Sequence, residues 1–186
     1  YDDLSLDRLE IDMIDFSGPA FQYVDNRLMS LQLVKLGMTD AVIFNSEGNN
    51  MLPADILYKK NIFAVRGSFR PVTRVNIDMF EHGLDMFNQD NSCDHQNTQI
   101  LFEITISNLR ASGDIDERDF LDRVDILGTL GYTVMISNFS EYYRMVDYFS
   151  SLTNQHIGVA MGVNNLLDVF DEDYYKNLPG GILEAF

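Results

Sequence analysis

The sequence predicts an α/β protein with a mostly parallel, Rossmann-like sheet and helices on both faces. Short, continuous apolar runs alternate with stretches whose apolar residues recur at helical spacing, and helical crossovers between parallel strands produce this order. The apolar runs also lack an apolar–polar alternation, which is typical of strands buried on both faces. The length of 186 residues fits one domain over residues 1–186.

Each element has its own signal in the sequence. Apolar side chains at helical spacing predict a first helix over residues 26–36, and Gly37 suits its left-handed cap. This helix lies in residues 1–38, which we interpret as an N-terminal helical extension. The predicted strands span residues 39–45, 62–65, 100–106, 132–136 and 157–161. The predicted helices between them span residues 73–87, 115–130 and a stretch that Ser140 caps, and Asp114 with Glu117 has the spacing of a capping box.

Charge and composition exclude several functional classes. Thirteen Lys and Arg against 29 Asp and Glu leave a net charge of −16, which repels phosphate backbones and anionic headgroups. We therefore expect neither nucleic acid nor a membrane as a partner. The lone Cys93 cannot form an internal disulfide, so a cytoplasmic location is expected. The chain begins at Tyr1 and ends within an apolar helical pattern, and we expect it to be a fragment of a longer protein.

Polar residues follow every predicted strand. In a doubly wound sheet the ligand lies at the carboxyl ends of the strands, so these segments are expected to converge on one edge. They comprise residues 45–48, 66–68, 107–108, 137–138 and 162–165.

A basic segment interrupts the acidic chain. Residues 56–77 contain no acid and hold five of the 13 cations, namely Lys59, Lys60, Arg66, Arg70 and Arg74. Its second half follows a predicted strand and leads into a helix. Gly67 would let the backbone approach a ligand, Ser68 and Thr73 offer hydroxyl groups, and a helix start favours an anion. The alternative interpretation is that these cations pair with the surplus carboxylates.

A sequence motif begins in the same segment. It is carried by Gly67, Ser68, Phe69, Pro71, Val72 and Thr73. Residues 67–81 thereby resemble the nucleotide-binding opening of the nicotinamide/nicotinate mononucleotide adenylyltransferases. The histidine that steadies the triphosphate in that family falls at Asn76, which donates a hydrogen bond but carries no positive charge. Arg70 or Arg74 could substitute for it.

This resemblance implies a function. It implies a nucleotidyltransferase with a Rossmann-like fold that transfers an adenylyl group from ATP to nicotinate or nicotinamide mononucleotide in NAD biosynthesis, with Mg²⁺ bridging the phosphates. Asn76 and Arg70 would be the catalytic residues, and no metal-ligating residue is predicted. The nucleotide- or phosphate-binding residues would be Arg66, Gly67, Ser68, Phe69, Thr73, Arg74, Lys59 and Lys60. The alternative is a non-catalytic nucleotide- or phosphate-binding regulatory module that kept the loop and lost the histidine.

Two other segments resemble a different family. Residues 41–48 look like the first motif of haloacid-dehalogenase-type phosphatases, and residues 130–138 look like their second motif. The nucleophilic aspartate of that chemistry is replaced by Asn45, which cannot form an aspartyl-phosphate. A degenerate phosphatase domain is therefore a further alternative.

Several other side chains have more than one interpretation. Glu103 lies inside an apolar run, so it either pairs with an arginine of the basic segment or is a functional carboxylate. The tyrosine pairs at 142–143 and 174–175 could stack on a base or pack in the core. His82, His95 and His156 lack metal-ligand spacing, and the acids at 168 and 171–173 do not fit a calcium loop.

Overall fold

A computed structural model of the chain describes residues 11–89, 95–111 and 113–185, so Cys93 lies outside the described residues. The strands are β1 (Ala41–Phe44), β2 (Asn50–Met51), β3 (Asn61–Arg66), β4 (Thr98–Thr105), β5 (Val134–Ser137) and β6 (Ile157–Ala160). The α-helices are α1 (Asn26–Lys35), α2 (Pro53–Leu57), α3 (Arg74–Asn88), α4 (Ile106–Leu109), α5 (Glu117–Thr129), α6 (Tyr142–Leu152), α7 (Val163–Val169) and α8 (Ile182–Ala185). Short 3₁₀ helices span Pro19–Phe21, His95–Asn97 and Glu172–Tyr175.

The six strands form one sheet in the order β2-β1-β5-β4-β3-β6. The four strands β5, β4, β3 and β6 are parallel to one another. From β3 the chain steps through α3 to β4 and through α5 to β5, and α6 then returns it to β6 on the other side of β3. The strand order therefore reverses between β3 and β6, and at such a switch point the loops diverge and leave a crevice at the carboxyl ends.

Helices cover both faces of the sheet, as the sequence predicts. One core contains Leu31 of α1, Phe80 of α3 and Phe120 of α5. The other contains Leu57 of α2 and Met145 of α6. The predicted α/β class with a mostly parallel sheet is confirmed. Because Leu31 is fully buried, α1 is part of the main core.

The direction of β1 differs from the prediction. All four of its residues are buried, as expected, but Ala41 pairs with Ser137 and Phe44 with Val134, so β1 is antiparallel to β5. Burial on both faces reflects helices above and below the sheet and does not determine strand direction. A short turn joins β1 to the antiparallel β2, so no helical crossover follows β1.

Helix beginnings also differ in detail. The N-cap of α5 is Asp116, whose carboxylate accepts hydrogen bonds from the backbone N–H groups of Arg118 and Asp119. The predicted capping box from Asp114 to Glu117 is therefore wrong. The N-cap of α6 is Glu141 instead of Ser140, whose hydroxyl donates to the Glu141 carboxylate. Polar residues that compete for the cap one or two positions apart make the exact cap difficult to predict.

Candidate functional site

A cleft of about 460 Å³ opens at the carboxyl ends of β3 and β4. The ends of β3 and β4 line one side of it with Arg66, Gly67, Ser68, Thr105, Ser107 and Asn108. The other side consists of Ser140, Tyr142, Asn165, Asp168 and Tyr174. The cleft lies beside the switch point of the sheet, where a doubly wound fold holds its ligand. We call it the switch-point cleft.

Arg66, which lines the switch-point cleft, is paired with the buried Glu103. The two residues lie opposite each other on β3 and β4. The Nε of Arg66 lies 2.6 Å from one carboxylate oxygen of Glu103 and its Nη2 lies 2.9 Å from the other. The Ser137 hydroxyl donates a third hydrogen bond to the same carboxylate, at 2.5 Å. The Glu103 side chain is fully buried, and the bidentate pair with Arg66 compensates its charge. Of the two interpretations that the sequence leaves open for Glu103, the structure shows the first, the partner of an arginine of the basic segment.

Most of the hydrogen-bonding capacity of Arg66 is used within the protein. Besides Glu103, Nη1 donates to the Ser140 carbonyl at 3.2 Å and Nη2 points to the Met145 sulfur at 3.8 Å. The guanidinium lies 4.3 Å from the centre of the Tyr142 ring. Within the described part of the chain, one Nη1–H remains for a ligand, because a guanidinium has five N–H groups. Arg66 therefore offers a ligand one hydrogen-bond donor in a fixed position, and Glu103 already compensates the positive charge of its guanidinium.

Two tyrosines form the opposite wall. The Tyr142 hydroxyl accepts a hydrogen bond from Nδ2 of Asn165 at 2.7 Å, and the Tyr174 hydroxyl accepts one from the backbone N–H of Tyr142 at 2.8 Å. Burial raises the pKa of both phenols above the usual range. Both hydroxyls are therefore neutral at physiological pH, and each retains its own proton as a donor.

Asn108, which lies just after the end of β4, adds a side-chain amide to the lining of the cleft. Asn108 closes a capping box with Thr105 at the start of α4: its Oδ1 accepts from the Thr105 backbone N–H at 3.2 Å and from the Thr105 hydroxyl at 2.9 Å. This hydrogen bonding orients the Asn108 side chain. The adjacent Ser107 is exposed, and Asp168 supplies an exposed carboxylate across the cleft. The wall of the cleft thus combines neutral donors and acceptors with one acid.

The loop between β3 and α3 is held by its neighbours. Phe69 adopts a positive φ of 46° and is buried, with its ring 5.3 Å from that of Phe102. Arg123 of α5, itself buried, donates to the Ser68 carbonyl at 2.9 Å. Asp119 bridges Arg123 to Arg70, whose Nε lies 2.9 Å away. Such backbone strain persists only where the surroundings impose it, and here the aromatic core and α5 do so.

Thr73 and Asn76 have a clear structural role at the start of α3. The Asn76 Oδ1 accepts hydrogen bonds from the Thr73 backbone N–H at 2.9 Å and from the Thr73 hydroxyl at 2.8 Å, while the Asn76 N–H donates to that hydroxyl. This is a complete capping box, for which an amide is well suited. Asn76, which stands at the position of the histidine in the family that the motif resembles, is therefore engaged in helix capping.

The remaining predicted cations lie elsewhere. Lys59 and Lys60 precede the amino end of β3, whereas Arg66 lies at its carboxyl end. The backbone carbonyls of the two lysines accept hydrogen bonds from the side chains of Asn97 and Thr153. Arg74 lies in a separate groove between α3 and α5. The structure thus brings Arg66, Gly67 and Ser68 into the switch-point cleft, with Phe69 beneath the loop. It does not gather the basic segment into one patch, because a strand separates the lysines from the arginines.

The two phosphatase-like segments contain neighbouring strands of the sheet, but the strands run in opposite directions. Asn45 follows the carboxyl end of β1, which pairs with the amino end of β5, whereas Asn138 follows the carboxyl end of β5. The Asn45 side chain accepts hydrogen bonds from the Glu47 and Asn49 backbone in the turn before β2. The antiparallel direction of β1 therefore places residues 45–48 and Asn138 at opposite ends of this strand pair, so the two motifs do not converge on one site.

The sequence does not indicate that Tyr142, Tyr174, Asn165 and Asp168 belong to one site. The polar segments at 107–108 and 162–165 were a correct signal for this edge. The sequence shows the tyrosines only as pairs, because their approach to the cleft depends on α6 crossing to the other face. Among the described residues, no group of three or more His, Cys, Asp or Glu side chains could hold a metal ion.

Among the described residues, no helix combines the length and the apolar character that a membrane span requires. Comparison of the chain with protein-family models, with curated proteins and with solved structures yields no match.

Proposed function

We propose that this chain is a non-catalytic module that binds a nucleoside or nucleotide in the switch-point cleft. The observation that carries the proposal is the position of the cleft: it opens beside the reversal of strand order, at the ends of β3 and β4. The groups that line it are side-chain hydroxyls, amides and a guanidinium. These groups match ribose hydroxyls and base edges, which both donate and accept hydrogen bonds.

The charges of the cleft favour the nucleoside part of the ligand over its phosphates. Glu103 already neutralises Arg66, and Asp168 adds a negative charge at the opening. A triphosphate would lose its hydration and meet no uncompensated cation among the described lining residues, which is unfavourable. We therefore expect adenosine to bind at least as tightly as ATP.

Isothermal titration calorimetry tests this module. Adenosine, nicotinate mononucleotide and ATP are titrated into the protein and into two matched variants. Asn165→Ala removes an amide of the cleft wall and should weaken binding at least tenfold. Asn164→Ala changes the neighbouring exposed asparagine, which does not line the cleft, and should bind as the unmodified protein does. Absence of heat with all three ligands would reject the module.

Adenylyl transfer from ATP to a pyridine mononucleotide is the second candidate. It is favoured by the position of the loop at residues 67–73, which follows β3 and leads into the capped α3 beside the cleft, as the resemblance implies. Mg²⁺ is commonly held by one or two carboxylates together with substrate phosphates, and Asp168 is the carboxylate that could contribute. The bound metal would neutralise phosphate charge. Arg70, which is half exposed beside the loop, is the cation that could orient a phosphate.

Pyrophosphate release separates the two candidates. The protein is incubated with ATP, Mg²⁺ and nicotinate mononucleotide, and pyrophosphate is measured enzymatically. A transferase should release it, and Arg70→Ala should reduce the rate far more than Arg118→Ala on the exposed side of α5. Heat in the calorimeter without pyrophosphate supports the module alone. Equal effects of the two substitutions would contradict the role of the loop.

A further inference from the structure

Helix α7 exposes a continuous apolar stripe. Its members are Val163, Leu166, Leu167 and, at the C-cap, Phe170, and these residues are 74%, 44%, 66% and 68% exposed. Their spacing of i, i+3, i+4 and i+7 places them on one side of a helix. We call this surface the α7 stripe.

The opposite side of α7 faces the protein. Asn165 binds the Tyr142 hydroxyl, and Val169 packs against the core beneath α6. The protein-facing side of α7 thus makes one polar and one apolar contact, while its four-residue apolar stripe faces solvent, where an ordinary surface helix carries polar residues. The described part of the chain leaves the stripe uncovered. Contiguous apolar surface of this kind marks an interaction site in a soluble protein.

The charges around the α7 stripe identify the kind of partner. Between residues 162 and 185 the chain carries five acids and a single base, Lys176. Three of those acids, at positions 171–173, are exposed and directly follow Phe170. A second copy of the chain would place two such acidic clusters close together, and each copy carries a net charge of −16. Like charges across an interface are costly, so self-association is disfavoured.

We propose that the α7 stripe binds an amphipathic helix of another protein, with apolar residues on one side and Lys or Arg beside them. Apolar anchors at i, i+3, i+4 and i+7 are the usual contacts between such a helix and its receptor. The basic residues of the partner would face the acids at 171–173. Apolar contact then supplies most of the affinity, and charge supplies orientation and rate of association.

Three synthetic peptides test the proposal by fluorescence anisotropy with the intact chain. The first is a Leu–Lys peptide with leucines at helical spacing, the second has the same composition in scrambled order, and the third replaces each lysine with glutamate. We expect the first peptide to bind at least tenfold more tightly than either of the others, and its affinity to fall as salt is added. Equal binding of the ordered and scrambled peptides would overturn the proposal, because charge alone would then explain it.

Matched variants locate the surface. Leu167→Ser with Phe170→Ser should weaken binding of the first peptide at least tenfold. Val75→Ser with Met86→Ser, which alters two α3 side chains that are each 73% exposed, should leave it unchanged, and circular dichroism confirms that both variants are folded. Equal losses in the two variants would overturn the proposal. Sedimentation of the unmodified chain as a dimer that only the α7 variant dissociates would also overturn it, in favour of a second copy.

Discussion

The environment of Glu103 shows how a single buried charge organises its neighbours. Its carboxylate accepts two hydrogen bonds from Arg66 and one from Ser137. Removing one member of such a pair leaves the other charge buried without compensation, and the usual cost is about 3–5 kcal/mol. The sequence limited Glu103 to two interpretations. It could not identify Arg66 as the partner, because that contact depends on the alignment of two strands whose residues are far apart in the chain.

Glu103→Gln should therefore lower the free energy of unfolding by about 3 kcal/mol or more, since the neutral amide leaves the Arg66 charge buried. Urea unfolding followed by circular dichroism measures the change. The matched control is Glu141→Gln, which disrupts an ion pair with an Arg144 that is half exposed and should cost about 1 kcal/mol or less. Similar losses for the two variants would contradict the role assigned to burial.

At the scale of an element, the packing of the loop after β3 requires a glycine at position 67. A Cβ on Gly67 would lie 2.9 Å from the ring of Phe69, whereas a Cβ on Gly162 would meet no atom within 4 Å. Neither glycine has a positive φ, so the comparison isolates the steric effect. The glycine is needed because the Phe69 ring folds back over it, a contact that the motif alone did not predict.

Gly67→Ala should lower the free energy of unfolding by about 1–3 kcal/mol, since it forces the Phe69 ring to move in a packed core. Gly162→Ala should change it by about 0.5 kcal/mol or less, because a small loss at the N-cap offsets the reduced entropy of the unfolded chain. Thermal and urea unfolding of both variants provide the measurement. A larger loss at position 162 would contradict the packing described for the loop.

The N-cap of α1 makes part of the free energy of unfolding depend on pH. Asp25 accepts a hydrogen bond from the Arg27 backbone N–H at 2.9 Å, and its other oxygen lies 2.8 Å from Nη2 of Arg27. The side-chain hydrogen bond from Arg27 is the main cause that lowers the pKa of Asp25 in the folded chain. A lowered folded-state pKa stabilises the fold above the unfolded-state value of about 3.9, and that stabilisation disappears as pH falls through the folded-state pKa.

Asp25→Ala should therefore cost about 0.5–2 kcal/mol at neutral pH. The difference between the unmodified chain and this variant should shrink steadily below about pH 4. Urea unfolding at a series of pH values measures both quantities. A difference that stays constant down to about pH 2 would contradict the ionic contribution and leave only the loss of the N-cap hydrogen bond.

Prediction at the scale of elements succeeded where periodicity is strong. The five apolar runs became β1, β3, β4, β5 and β6, and the three long amphipathic stretches became α3, α5 and α6. The short β2 and α2 were missed, because two and five residues are too few to show a period. Strand direction and strand order depend on which face each connection crosses, and local patterns carry little of that information.

At the scale of the whole molecule, the net charge of −16 opposes compact folding through self-repulsion. Salt screens this repulsion over about 10 Å at 0.1 M. We expect the free energy of unfolding to rise when NaCl increases from low to moderate concentration. Urea unfolding at several salt concentrations measures the trend.

A variant with fewer charges provides the control for this prediction. Glu172→Gln with Asp173→Asn removes two exposed neighbouring acids and should reduce the dependence of stability on salt. A free energy of unfolding that falls as salt is added would contradict the prediction, because ion pairs would then outweigh the repulsion.

The pairing of Arg66 with Glu103 also restricts how the sheet can assemble. Neighbouring residues of a strand point to opposite faces. If β3 slipped by one residue along β4, the carboxylate would remain buried with the Ser137 hydroxyl but without a counter-charge, while the guanidinium turned to the other face of the sheet. Apolar residues tolerate such slippage, since leucine, isoleucine and phenylalanine can replace one another in a core. Two opposite charges therefore select a single alignment of the central strands and exclude its nearest competitors.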